Sequence, residues 1–293
     1  MVDHEGRVLD ADEDLLYGIR GAGSAFGVIV SLKIKIYRLK KVFASVLIYH
    51  MGPEESMLAD FLQRYQDLLD EGIPDALSLD VGVCKVPNAE KALFCSFLWA
   101  SGDIVKAKAA LEKMHNLGPI FMNTVAEMTV PAWLEAQSKA TPPYGVFALG
   151  GPASIMVPAF DQEVRNVLVK YTTNLPPNPA TLWVVHHIRG AALASKTNSS
   201  FAYREKHIMI EIIGTSVVED FAEESGDWAV SFHADARRLK QTFEGGYIVL
   251  VAKGIEARKC FPDGHWERLQ ALKRKMDPEN FFRFNVVGLD RTS

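Results

Sequence analysis

The chain has 293 residues, 48% of them hydrophobic and 23% charged, with a formal net charge of −4. That composition excludes a disordered or low-complexity polypeptide, and the mild acidity removes the electrostatic reason to expect nucleic acid or an anionic membrane as a partner. No run of about eighteen uncharged apolar residues offers a membrane-spanning helix, and the opening Met1-Val-Asp-His-Glu-Gly-Arg7 lacks the apolar core of a secretion signal, so a cytoplasmic protein is expected. Cys84, Cys95 and Cys260 have no ligand-type spacing, which argues for free thiols over a disulfide framework and against a metal site.

In chain order, Asp12 to Arg20 predicts a short helix with an acidic first turn. Gly21, Gly23 and Gly27 then lead into a long strand, Gly27 to Leu39, in which Val28, Val30, Leu32, Ile34 and Ile36 alternate with Ser31, Lys33 and Lys35. The same period recurs over Phe43 to Tyr49. Pro53 to Asp70 predicts a helix with Met57, Phe61, Tyr65, Leu68 and Leu69 along one side, and Ile73-Pro74 ends it. Leu77 to Val86 and Ala92 to Trp99 read as a hairpin, and Ser101-Gly-Asp103 opens a helix from Ile104 to Leu117. Pro119 to Met128 is strand-like, while Pro131 to Lys139 and Pro142-Pro-Tyr-Gly145 read as irregular. A helix over Asp161 to Asn174 precedes strands at Thr181 to Arg189, Lys206 to Gly214 and Tyr247 to Ala252, with a helix from Glu223 to Phe243 between the last two. Helices and strands come in blocks, which predicts an α+β fold: a large antiparallel sheet covered by helices.

The glycine stretch Asp14-Leu-Leu-Tyr-Gly-Ile-Arg-Gly-Ala-Gly-Ser-Ala-Phe-Gly-Val-Ile-Val30 is the one dense glycine signal. No Gly-Lys-Ser/Thr follows it, and G-x-G-x-x-x-G has the wrong spacing for a dinucleotide-binding turn, so it serves either as a backbone cradle or as a plain turn. Arg20 is placed there either to bind an anion or to pair with Glu13 or Asp14. On the strand Leu182-Trp-Val-Val-His-His-Ile-Arg189, adjacent histidines point to opposite faces: His186 goes with Val184 and Ile188, His187 with Trp183 and Val185. Each is either a general acid/base or a hydrogen-bonded core residue. His207, Met209 and Glu211 share one face of the following strand, and Ile208, Ile210 and Ile212 the other. Trp99, Trp133, Tyr144, Phe147 and Trp183 supply aromatic surface for an apolar cavity or for the core.

Read together, the glycine stretch and the C-terminal His265-Trp-Glu-Arg-Leu-Gln-Ala-Leu-Lys-Arg-Lys-Met-Asp-Pro-Glu-Asn-Phe-Phe-Arg-Phe-Asn285 resemble the berberine-bridge-enzyme-like FAD-linked oxidoreductases. In that family "RGgGxNFGVV" and "ERLxxLKxxyDPxNxFRxNqNI" frame a substrate domain, and Gly245-Gly-Tyr247 matches the "GGYvN" ahead of the closing helix. Val2 to Leu9 is similar to the "vtAdGrvl" hairpin before the first motif, so most of the family's flavin site would lie upstream of Met1. Phe201-Ala-Tyr-Arg204 resembles "aFpHR", with Tyr203 where His often stands. Ala25, Val249 and Asn285-Val-Val-Gly288 depart from the pattern by loss of polar side chains.

The resemblance implies a vanillyl-alcohol-oxidase-type fold with residues 1–40 as a remnant of the FAD-binding subdomain, 41–253 as an α+β substrate domain, and 254–293 packing back on the remnant. Catalytic candidates are His186, His187, Tyr203, His207, Glu211 and Tyr247; Arg20, Gly21, Gly23, Gly27 and Asn285 would touch FAD if it binds. The missing upstream part leads to the expectation of a cofactor-free enzyme of secondary metabolism, an isomerase, dehydratase or cyclase acting on a hydrophobic natural product by preorganisation and acid/base assistance. The alternatives are an FAD-dependent oxidoreductase, truncated or split, and a non-catalytic binding protein. Expected partners are a small hydrophobic substrate and a second copy, or a partner chain that covers the missing subdomain.

Overall fold

The computed structural model describes residues 1–51, 55–86, 89–140, 147–193, 198–250 and 256–289. Its strands are β1 (Val42–Tyr49), β2 (Leu77–Val86), β3 (Ala89–Trp99), β4 (Ile120–Asn123), β5 (Ala126–Met128), β6 (Phe147–Val157), β7 (Thr181–Ile188) and β8 (His207–Ser216). Its helices are α1 (Glu13–Ala22), α2 (Glu55–Glu71), α3 (Ile104–His115), α4 (Val130–Ala140), α5 (Gln162–Thr173), α6 (Ala222–Arg237) and α7 (His265–Met276). Aspartates start three of them: Asp12, Asp103 and Asp161 accept from the amides of Leu15, Lys106 and Val164 at 2.8, 3.0 and 2.9 Å, satisfying donors the first turn leaves open.

The chain divides into two units: residues 1–36, 189–206 and 243–293 form one, residues 37–188 and 207–242 the other. The second unit is built on an eight-stranded sheet ordered β4-β1-β3-β2-β7-β8-β6, with β5 also pairing β1. Every strand pairing is antiparallel. Because side chains alternate, one face gathers Val81, Val83, Cys95, Phe97, Trp183, Val185 and Ile210, all buried. Helices cover that face. Trp183 Nε1 donates to Thr172 Oγ1 of α5 at 2.9 Å, and Tyr171 stacks on Phe232 of α6 at 4.6 Å. A Cβ on Gly214 of β8 would lie 2.4 Å from Ala229 Cβ and 2.5 Å from Ser225 O, so glycine there lets α6 seat on the sheet. The opposite face carries Asp80, Phe94, Ser96, Val184, His186, Met209 and Glu211 in the same register.

The first unit has its own core, in which Leu15, Tyr17, Phe26, Phe261, Leu269 and Leu272 are buried together. The 199–201 segment runs against α1: Ser200 N donates to Tyr17 O at 3.0 Å and Phe201 N to Arg20 O at 3.2 Å. Val2 bridges to Val8 and to Val28, which agrees with a hairpin at the start of the chain. Among the described residues no helix is long and apolar enough to cross a membrane, and no group of His, Cys, Asp and Glu has the geometry to hold a metal ion. All three cysteines are free.

Four local expectations differ from the structure. Residues 29–40 form no strand, because among the described residues no neighbouring strand takes their backbone groups into a ladder. Tyr247 to Ala252 is no strand either: Ile248–Leu250 is a single 3-10 turn, and residues 251–255 lie outside the described residues. Pro131 to Lys139 is helical. Pro131 sits in the first turn of α4, where a missing N–H costs nothing, and Thr129 Oγ1 accepts from Ala132 N at 3.3 Å to start it. β6 was not expected, since Gly150-Gly-Pro152 interrupts its pattern; it is the edge strand, and its register shifts between Ala148 and Pro152. Pro142 to Gly145, Tyr144 included, lies outside the described residues.

Candidate functional site

On the uncovered face of the sheet, three neighbouring strands bring Asp80, His186 and Glu211 into line. Asp80 Oδ1 lies 3.0 Å from His186 Nδ1, and Glu211 Oε2 lies 3.2 Å from His186 Nε2. The register explains the contact: β7 sits between β2 and β8, with Gly82 opposite Val184 and Val184 opposite Glu211, so all three side chains rise from the same face. The ring is 35% exposed, Asp80 36% and Glu211 20%. Hydrogen bonds from Asp80 and then Glu211 outweigh the opposing burial and push the imidazole up to about 9, so at neutral pH both ring nitrogens donate. Further along the same face stand Cys84, whose thiol burial pushes up to about 11, and the buried His207.

This raised value has a consequence for stability. Below the ordinary imidazole pKa of about 6.5 both folded and unfolded chains hold the proton and the interaction contributes in full; as pH rises through about 9 the folded ring releases it and the contribution is gone. Thermal unfolding should therefore lose stability between those limits in the wild-type chain relative to His186→Gln. Parallel pH profiles for the two would contradict the assignment.

The remaining catalytic candidates fall elsewhere. His187 points to the helix-covered side, where its Nε2 meets Tyr65 Oη of α2 at 2.8 Å and the rings pack edge to face. Tyr203 and Tyr247 belong to the first unit, where Tyr203 Oη donates to Lys259 O at 2.6 Å and Tyr247 packs edge-on against Phe201. A Cβ on Gly245 would meet that hydroxyl at 2.4 Å, so the Gly245-Gly-Tyr247 segment serves close packing. Trp99 and Trp183 are buried on the helix-covered side of the sheet. Asp80 carried no signal in sequence beyond being a carboxylate inside a strand; its partner is 106 positions away.

The glycine stretch is filled by protein. A Cβ on Gly21 would sit 2.3 Å from Ser200 Oγ and 2.6 Å from Phe201 N, and one on Gly27 would sit 2.2 Å from Met1 Cε and 2.5 Å from Val2 O. Only Gly23, at φ +56°, needs glycine for its backbone alone. Gly21→Ala should accordingly destabilise the first unit by about 1–3 kcal/mol through overpacking, measurable by chemical denaturation. The exposed Arg20 reaches Asn198 O at 3.4 Å, while Asp14 pairs with Arg268. Asn285 spends its side chain on Phe282 O at 2.8 Å and on both backbone groups of Leu289. Ala25, where the family pattern has Asn, is fully buried. An open hollow of ≈ 460 Å³ is lined by Gly27, Val28, Ile29, Phe281, Phe282 and Phe284, and it is apolar in side-chain character.

The fold defines a class. Solved structures of 6-hydroxy-D-nicotine oxidase from Arthrobacter nicotinovorans and of glucooligosaccharide oxidase from Acremonium strictum superpose with TM-scores of 0.75 and 0.76 at 19% and 18% identity, covering 99% and 100% of this chain and 64% and 65% of theirs. This is the vanillyl-alcohol-oxidase-type, berberine-bridge-like architecture. The family model "Berberine and berberine like" matches residues 259–286, and the FAD-linked oxidoreductase aurO of Gibberella zeae is 28% identical over 291 residues, which is 97% of this chain and 55% of that protein. The chain is thus similar to berberine-bridge-like proteins and spans a little over half the length of such relatives.

The expectation of a cofactor-free enzyme is overturned by these matches, because the relatives are by name FAD-linked oxidoreductases. It rested on polar side chains lost from the motifs and on the place where the sequence starts, and neither outweighs those matches. The glycine stretch does not itself offer a phosphate cradle: the space beside Gly21 and Gly27 is occupied by Ser200, Phe201, Met1 and Val2.

Proposed function

We propose that this chain is the substrate-facing part of an FAD-linked oxidoreductase, and that the flavin is held by the share of the relatives' length it does not span, on a longer form of the same polypeptide or on a second chain. One observation carries the reading. Val30, Leu32, Ile34 and Ile36 stand 56%, 73%, 72% and 81% exposed on a segment that pairs with no strand among the described residues, and Phe281 and Phe284 are exposed in the same unit. Each such side chain forgoes about 1.5–3 kcal/mol of burial, and a row of them marks a surface that another polypeptide covers.

FAD, when bound, supplies the two-electron acceptor. The chain's own contribution is the uncovered sheet face, where Asp80, His186 and Glu211 handle a proton or orient a polar group while Val184, Ile188 and Met209 offer apolar contact to a small hydrophobic substrate. Co-expression with the portion of the Gibberella zeae relative that this chain does not span tests the reading by hydrogen exchange. Amides of residues 28–36 should slow markedly in a one-to-one complex; a chain that forms no complex and exchanges there equally fast would remove it.

A further inference from the structure

The carboxylate–imidazolium–carboxylate line on β2, β7 and β8 leaves two acceptors unused. Asp80 engages His186 through Oδ1 and Glu211 through Oε2; among the described residues Asp80 Oδ2 and Glu211 Oε1 accept no hydrogen bond. A ring that donates from both nitrogens to acceptors on opposite sides cannot swing, so Glu211 is held toward β7 with its second oxygen turned away from the ring. One positive charge between two negative ones leaves a negative excess, on a face that also carries the apolar Phe94, Val184 and Met209 and the polar Ser96 and Ser154. Such a site attracts a donor and repels an anion.

We propose that Asp80 is a positioning residue which, through the His186 ring, holds Glu211 ready to accept a hydrogen bond from the N–H or O–H group of an otherwise apolar ligand. This deepens the reading of the sheet face as the substrate side. Asp80 acts at a distance: it fixes which way the imidazolium points, and the imidazolium fixes Glu211. The titratable groups on this face that bear on His186 are Asp80 and Glu211 in contact and Cys84 and His207 further along.

The full-length chain labelled with 15N-histidine provides the test, with benzylamine, benzyl alcohol and benzoate as probes. Benzylamine, benzyl alcohol or both should shift the His186 ring signals saturably, and benzoate should bind at least about tenfold more weakly than the better donor. Glu211→Gln should weaken donor binding about tenfold, the loss of one charge-assisted contact. Asp80→Asn should move the His186 titration down toward the ordinary imidazole range and weaken the donors, while Asp80→Glu should restore both; circular dichroism confirms that each variant is folded. Benzoate binding as tightly as the donors, or an Asp80→Asn chain with unchanged titration and unchanged donor binding, would overturn the proposal. No flavin enters the experiment, so its failure leaves the FAD reading standing, and a chain that never acquires flavin can still pass.

Discussion

Lys273→Met should destabilise the first unit by about 3–5 kcal/mol, the cost of leaving one member of a buried ion pair without its partner. Lys273 and Asp277 are one turn apart on α7 and just beyond it, and both side chains are 0% exposed. The ammonium donates to Asp277 Oδ2 at 2.6 Å, to Ala25 O at 2.9 Å and to Phe282 O at 3.1 Å, which uses all three of its protons. Asp277 also accepts from the amides of Phe281 and Phe282 at 2.8 and 2.9 Å. One pair therefore ties the closing helix to the turn after α1 and to the chain that follows it. Burial alone would raise the Asp277 carboxyl, but Lys273 and the two amides hold it below the usual carboxylate range. Its contribution is present above the unfolded value of about 3.9 and is lost as pH falls through the lower folded value. Asp277→Asn should cost a similar amount, and the double variant less than the sum, which a double-mutant cycle by urea unfolding measures. Additive single effects would show that the pair is not coupled.

The isolated chain should self-associate at micromolar concentration, and Val30→Lys, Leu32→Lys and Ile34→Lys together should return it to a monomer without loss of thermal stability. The alternation that made residues 28–36 read as a strand places these aliphatic side chains in solvent, and nothing in the fold is anchored on them. An exposed apolar row on a segment outside any described strand is a surface for association, so copies of the isolated chain will find one another through it. Lys33 and Lys35 limit that association without preventing it, since their charges are spaced and solvated. Light scattering decides the matter: a monodisperse monomer in the wild-type chain contradicts this account of the arm.

How far the sequence could be read follows from where each signal lives. Asp caps and 3.6-residue periods placed α1, α2, α3 and α5 within a few residues, because those signals are local. Alternation along Leu182 to Arg189 sent His186 and His187 to opposite faces, and the structure has them there. Proline misled at Pro131, where a first-turn position was read as irregular structure, and β6, an edge strand that tolerates Pro152, was not read at all. The candidate site was half legible: His186 and Glu211 stood out as polar residues on strand faces, but Asp80 joins them only through sheet order, which no local pattern encodes. The glycines of the first motif were legible as a turn. That their side-chain space is taken by Ser200 and Met1 depends on segments far off in sequence or looping back.

The central claim, that this chain faces substrate while other polypeptide holds the flavin, is tested most directly by flavin stoichiometry. Purified chain alone, and chain reconstituted with the portion of the Gibberella zeae relative it does not span, are each saturated with FAD, desalted and measured by visible absorbance. The account predicts flavin at near one equivalent in the reconstituted complex and essentially none on the chain alone; a full equivalent retained by the chain alone would contradict it.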